Sequence, residues 1–146
     1  MPLGTTNAVI KGCGTHHIAI QAHDWDASLK LYRDVLGMTE TASFAGGDGH
    51  KIMLLDTGDG SHIELFEPSA ETTTQDVPAN HPVTHFALAT SDARAATEHV
   101  RRAGYEVTVE PKELNLGGLE VTIAFFKGPS GEVVEFFETR STSTNY

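Results

Sequence analysis

The chain carries one pattern twice. His17-Ile18-Ala19-Ile20-Gln21-Ala22-His23-Asp24 returns 68 residues later as His85-Phe86-Ala87-Leu88-Ala89-Thr90-Ser91-Asp92. Further on, Gly60-Ser61-His62-Ile63-Glu64-Leu65-Phe66-Glu67 returns after 71 residues as Gly131-Glu132-Val133-Val134-Glu135-Phe136-Phe137-Glu138. Between these anchors Gly37 closes one helical stretch and Gly104 closes its counterpart. Three paired landmarks in one order describe a duplicated module. Each copy, of roughly 60–65 residues, is too small to bury much core alone.

Within a module the pattern reads strand, helix, then three strands. Alternation and β-branched content place a strand over 15–22. Asp24 caps a helix whose apolar stripe is Trp25, Leu29, Tyr32 and Leu36, and Gly37 supplies the left-handed stop. Strands then fit 38–44, 50–57 and 61–67, separated by the turn chemistry of Gly46-Gly47-Asp48-Gly49 and Gly58-Asp59-Gly60. The second copy gives a strand over 83–90, a helix from about Asp92 to Ala103, and strands near 105–110, 118–127 and 132–138. Residues 15–67 and 83–139 are thus the two modules, joined by a Pro- and Thr-rich linker over 68–82. Residues 1–14 and 139–146 read as loose ends.

Side-chain parity singles out four residues. On the first strand His17, Ala19 and Gln21 share one face while Ile18 and Ile20 take the other; His85, Ala87 and Ala89 oppose Phe86 and Leu88 in the repeat. Glu64 lies between Ile63 and Leu65, and Glu135 between Val134 and Phe136. Each module therefore aims one histidine and one carboxylate away from its helix-packed face, with an alanine two residues after the histidine leaving space. Taken singly, such a histidine reads as a hydrogen-bonded structural residue and such a glutamate as the solvated side of a strand. Their recurrence together is what argues for chemistry. If the modules pair symmetrically, the four groups converge in one cavity as nitrogen and oxygen ligands for a borderline divalent metal, with positions left for water or substrate.

Composition narrows the partners. The chain has 20 Asp+Glu against 10 Lys+Arg, a formal charge of −10, so it lacks the basic footprint of a nucleic-acid binder. No apolar run approaches a membrane span, and Met1-Pro2-Leu3-Gly4-Thr5-Thr6 has no secretory pattern. Cys13, the single cysteine, forms no intramolecular disulfide. A cytoplasmic protein is expected.

These residues resemble the vicinal-oxygen-chelate superfamily, which includes glyoxalase I, methylmalonyl-CoA epimerase, extradiol dioxygenases, and fosfomycin- and bleomycin-resistance proteins. The first module is similar through His17-Ile18-Ala19-Ile20, Leu31-Tyr32-Arg33-Asp34-Val35-Leu36-Gly37-Met38 and Ile63-Glu64-Leu65-Phe66-Glu67-Pro68. The second is similar through His85-Phe86-Ala87-Leu88, Phe126-Lys127-Gly128-Pro129-Ser130-Gly131 and Val134-Glu135-Phe136. The resemblance covers about 15–139. It implies an α+β fold of two tandem βαβββ modules, a partly open barrel around a metal groove, with His17, Glu64, His85 and Glu135 at the four ligand positions.

By the same resemblance, a His-Glu-His-Glu set is similar to metal-dependent glyoxalase I, a lyase or isomerase. A divalent ion (Ni, Zn, Co or Mn) is implied as cofactor, a small-molecule carbonyl or thioester as substrate, and a homodimer as the assembly; whether modules pair within a chain or across the dimer is left open. The implied chemistry is proton abstraction next to a carbonyl with a metal-bound enediolate, Glu135 acting as base and Glu64 as second base or spectator ligand. Two departures count against glutathione. Four residues after the first histidine, where bacterial glyoxalase I commonly has an arginine, stands Gln21; four after the first glutamate, where it often has an asparagine, stands Pro68. Without a fixed guanidinium a dicarboxylate tail loses its anchor. A methylmalonyl-CoA epimerase-like enzyme is the first alternative, and a non-catalytic small-molecule binding or resistance protein the second.

The remaining chemistry-bearing residues read as structural. His62 shares the parity of Glu64 but reads as structural or solvated. His50 follows a glycine-rich loop and reads as an ordinary hairpin edge, with the lining of a mouth as the alternative; the loop lacks the Lys-Ser/Thr ending of a phosphate loop. His99, Arg101 and Arg102 read as a solvated helix face. Of the eight histidines, the repeat assigns a role to two.

Overall fold

The computed structural model describes residues 6–11, 14–70 and 82–140. The chain divides into two compact units, Met1–Thr74 and Gln75–Tyr146. Much of the expected linker, 71–81, lies outside the described residues, as do Cys13 and the last six positions.

In the first unit, strand β1 (His17–Gln21) leads into helix α1 (Trp25–Leu29), followed by β2 (Thr39–Ala45), β3 (Lys51–Asp56) and β4 (His62–Phe66). The sheet order is β1-β4-β3-β2, with β1 parallel to β4 and the other pairs antiparallel. Asp24 caps α1 as expected, its Oδ1 accepting from the Ala27 N–H at 3.0 Å, and Gly37 takes φ 73°. One detail differs from the sequence reading. After α1 the helix widens into a π-helical segment, Lys30–Val35, in which the Leu36 N–H donates to the Leu31 carbonyl at 2.8 Å. The widened turn lets the adjacent Leu31 and Tyr32 both bury completely, where an α-helical stripe had assigned only Tyr32 to the core. Ile20, Met53, Leu55, Ile63 and Leu65 are the buried apolar sheet residues described in this unit.

The second unit repeats the plan with β5 (Phe86–Ala89), α2 (Ala93–Arg102), β6 (Glu106–Leu116), β7 (Leu119–Lys127) and β8 (Val133–Thr139), in the order β5-β8-β7-β6. Again the first strand is parallel to the last. Asp92 caps α2 through the Ala95 N–H at 2.9 Å. Ala93, Thr97 and Val100 form the buried face of α2, which packs on β6, β7 and β8. Phe126 and Phe136 stack at 5.3 Å between ring centroids on the neighbouring strands. Burying each such side chain contributes about 1.5–3 kcal/mol.

The longest departure is β6, which runs to Leu116 rather than ending near residue 110. Pro111 is a strand breaker by composition because it has no N–H to give a ladder. Here it sits where the β6–β7 register shifts between Val109 and Lys112, so the ladder resumes beyond it. Gly117 and Gly118, both at positive φ, then close the hairpin, and the Gly118 N–H donates to the Asn115 side chain at 2.8 Å. The observed fold is α+β, two βαβββ repeats each with an open four-stranded mixed sheet. No helix among the described residues is long and apolar enough to cross a membrane.

Candidate functional site

The repeated histidine and carboxylate meet in each unit. On β1 and β4 the Cα partner of Glu64 is Ala19, two residues beyond His17, and His17 Nε2 lies 2.8 Å from Glu64 Oε2. On β5 and β8 the partner of Glu135 is Ala87, two residues beyond His85, and His85 Nε2 lies 3.1 Å from Glu135 Oε2. The parallel pairing between first and last strand brings the two residues of a module together although 47 positions separate one pair and 50 the other. In both pairs the imidazole is the more exposed partner, at 40% and 38%, and the carboxylate is set deeper, at 16% and 9%. The four predicted residues are thus brought together two by two. Among the described residues no group of three or more His, Cys, Asp or Glu side chains is gathered as a metal cluster.

Each histidine is also held from its other nitrogen. His17 Nδ1 lies 2.9 Å from His16 Nδ1, and His85 Nδ1 lies 3.0 Å from Thr84 Oγ1. The donor chemistry of each pair, an imidazole Nε2 beside a carboxylate oxygen, fits a borderline divalent ion. His85 additionally meets Phe125 edge to face at 5.2 Å. In the first unit His16 stacks on His62, with ring centroids 5.4 Å apart and planes 18° from parallel. His62 is 8% exposed, which supports its structural reading and removes the solvated one. Its Nε2 stands 3.9 Å from Asp56, whose carboxyl is held below the usual range first by the Gly58 N–H and then by that of Gly60.

A pocket of about 260 Å³ opens further along the same unit, lined among others by Gln21, Asp48, His50, Phe66 and Glu67. Gln21 shares the strand face of His17 and lies about 13 Å farther along β1 at the usual rise. Its Nε2 is surrounded by the carbonyls of Ala22, Phe66 and Glu67 at 3.2–3.3 Å, which fixes the amide with Oε1 as the remaining acceptor. Glu67 Oε2 accepts from the Lys51 N–H at 2.8 Å. The His50 N–H donates to Asp48 and holds that carboxyl below its ordinary range. Among the described residues, none lining the pocket is a lysine or arginine. His50, expected as an ordinary hairpin edge, is a pocket residue. His99, Arg101 and Arg102 lie exposed as expected, with Arg101 bonded to Glu98 and Glu110.

The sequence reading missed His16 and Thr84. Their signal is position: each immediately precedes a histidine of the repeat.

Comparison with known proteins agrees with the fold. The lactoylglutathione lyase of Haemophilus influenzae is 30% identical over 129 residues, 88% of this chain and 94% of that one. The crystal structure of a glyoxalase/bleomycin resistance protein/dioxygenase domain from Frankia superposes with a TM-score of 0.73 at 21% identity, covering 87% of this chain and 98% of its own. The trypanothione-dependent glyoxalase I of Leishmania major superposes with a TM-score of 0.66 at 20% identity, covering 86% of each. Residues 14–136 match the family model described as Glyoxalase/Bleomycin resistance protein/Dioxygenase superfamily. The chain belongs to that superfamily.

Proposed function

We propose that this protein is a metal-dependent lyase or isomerase of the glyoxalase I type, with His17, Glu64, His85 and Glu135 as its metal ligands. One observation carries the reading: the same histidine–glutamate pair, made by the same strand register, occurs in both modules. The similarity to lactoylglutathione lyases over most of the chain supports it. When bound, the ion supplies a Lewis acid for an oxygen on which negative charge develops.

The chain's own residues supply the rest. His17 and His85 stay as fixed ligands. Glu135 takes the proton from the carbon beside the carbonyl and returns it to the product. Glu135 is itself only 7% exposed, which limits the bulk water that competes for that proton. Glu64, the more exposed carboxylate, remains a ligand or serves as a second base on the other side of the substrate. Ala19 and Ala87 leave room above each pair.

A second reading is an epimerase acting on an acyl thioester; among the described residues, the lining of the pocket at Gln21 holds no lysine or arginine to anchor the dicarboxylate tail of glutathione.

Metal content of protein purified without chelator, followed by solvent-deuterium exchange into candidate substrates, tests both readings. Bound metal and exchange at a carbon beside a carbonyl support an enzyme of this chemistry. Comparison of a glutathione hemithioacetal with an acyl-CoA then separates the lyase from the epimerase. No bound metal, and no stabilisation by Ni²⁺, Zn²⁺ or Co²⁺, points to a non-catalytic binding protein.

A further inference from the structure

A histidine that holds a metal through Nε2 cannot keep the tautomer it needs beside a carboxylate alone. Glu64 Oε2 and Glu135 Oε2 are acceptors, so without a bound metal the Nε2 that faces each of them is a donor, and on a neutral ring Nδ1 then offers a lone pair. Release of Nε2 to a metal requires the other tautomer, with the proton on Nδ1. Whatever touches Nδ1 must therefore donate in one state and accept in the other. A backbone N–H only donates, and a backbone carbonyl only accepts.

In both modules the group on Nδ1 is one that can do either. His16 Nδ1 donates as one tautomer and accepts as the other, and the Thr84 hydroxyl turns its proton toward or away from the ring. The two residues occupy the same place in the repeat, one position before the histidine, with different chemistry but the same double capacity. His16 is itself steadied by the stack on buried His62. The place of His62 in the repeat belongs to Val133 in the second unit, where a short threonine needs no such platform.

We propose that His16 and Thr84 are positioning residues that hold His17 and His85 by Nδ1 through the change of tautomer accompanying metal binding. The proposal rests on the metal reading above and adds residues that touch neither metal nor substrate. Thr84→Val removes the hydroxyl at nearly constant shape; His16→Phe keeps a ring to stack on His62 and removes its nitrogens.

Affinity for Zn²⁺ is measured by competition with a chromophoric chelator, and the tautomers of His17 and His85 by nitrogen-15 NMR of the imidazoles. In the wild type the rings are expected as Nε2–H without metal and Nδ1–H with Zn²⁺. Each variant is expected to bind Zn²⁺ about 10–100-fold more weakly. The Thr84→Ser variant is expected to restore affinity, and thermal unfolding of the metal-free variants to stay close to wild type. Zn²⁺ affinity unchanged in both Thr84→Val and His16→Phe overturns the proposal, as does a wild-type ring that keeps one tautomer throughout. A wild type that binds no Zn²⁺, Ni²⁺ or Co²⁺ overturns the metal reading itself, an outcome visible before any variant is made.

Discussion

Ala19 stands directly across from Glu64 on the paired strands β1 and β4, and the carboxylate leans back along β1 to reach His17. Ala87 and Glu135 repeat the arrangement on β5 and β8. The small residue is therefore the floor beside each pair rather than a filler between ligands. Replacing it with leucine keeps the strand apolar but places branched carbons over the carboxylate. Ala19→Leu and Ala87→Leu are expected to lower metal affinity and turnover by at least about tenfold, a steric displacement of the kind that a well-oriented site tolerates poorly. Both positions are exposed, so the melting temperature should change little. Metal titration beside thermal unfolding checks this.

The two glutamates divide if Glu135 is the base. Glu135→Gln retains an oxygen that can ligate but no group that can take a proton. Turnover is expected to fall by about 10²–10⁴ with metal content near wild type. Glu64→Gln keeps the same ligating oxygen and is expected to cost less in turnover at a similar metal content. Equal turnover in Glu135→Gln and the wild type would remove the assignment.

Alternation of apolar and polar residues made His17, Glu64 and Glu135 legible on β1, β4 and β8, and the repeat made His85 legible although it lies one residue before β5. The same rule hid His16. Its odd-even parity places it on the opposite face from His17, but β1 begins only at His17, so residue 16 is not bound by the pleat and its ring turns back to the neighbouring Nδ1. Thr84 likewise precedes β5. The extension of β6 past Pro111 was hidden for a different reason: a register shift, which leaves no mark in composition, absorbs the missing N–H. The π-helical turn depends on Leu31 and Tyr32 both finding core, a fact of packing and not of spacing.

The β3–β4 turn should set part of the acid limit of stability. The carboxyl of Asp56 is held low first by the Gly58 N–H, and that of Asp59 first by the Ser61 hydroxyl. A folded value below the unfolded one means that the stabilisation is present above the unfolded carboxylate range, near pH 4, and is lost as pH falls through the folded value. Urea unfolding of Asp56→Ala between about pH 3 and pH 6 should show a shallower loss of stability on acidification than the wild type. A parallel pair of curves would locate the acid limit elsewhere.

Helix capping offers a comparison between the modules that is independent of the site. Asp24 and Asp92 make the same cap, at 3.0 and 2.9 Å, on α1 and α2. Asp92→Ala removes the acceptor for the Ala95 N–H from a helix of ten residues and is expected to cost about 1 kcal/mol. At this chain length that corresponds to a fall of about 2–4 °C in melting temperature. Asp24→Ala is expected to cost a similar amount, because the cap serves only the first turn and is indifferent to the π-helical widening that follows. A scan of both variants by calorimetry decides it.

Gln21 gives the sharpest test of what the pocket accepts. Its amide nitrogen is already committed to the carbonyls of Ala22, Phe66 and Glu67, so the side chain offers a substrate only an oxygen acceptor. With Asp48 and Glu67 also lining the pocket, a carboxylate tail meets two carboxylates and, among the described residues, no lysine or arginine. Gln21→Arg keeps donors facing those carbonyls and adds a guanidinium with further N–H groups for a carboxylate. For a glutathione hemithioacetal, the ratio of kcat/KM between the variant and the wild type should rise by about tenfold, the scale of one charge-assisted hydrogen bond. For a substrate whose tail carries an amine, the ratio should fall. If the wild type already uses the glutathione adduct well and Gln21→Arg brings no gain, the lining does not select the tail, and the argument against glutathione falls with it.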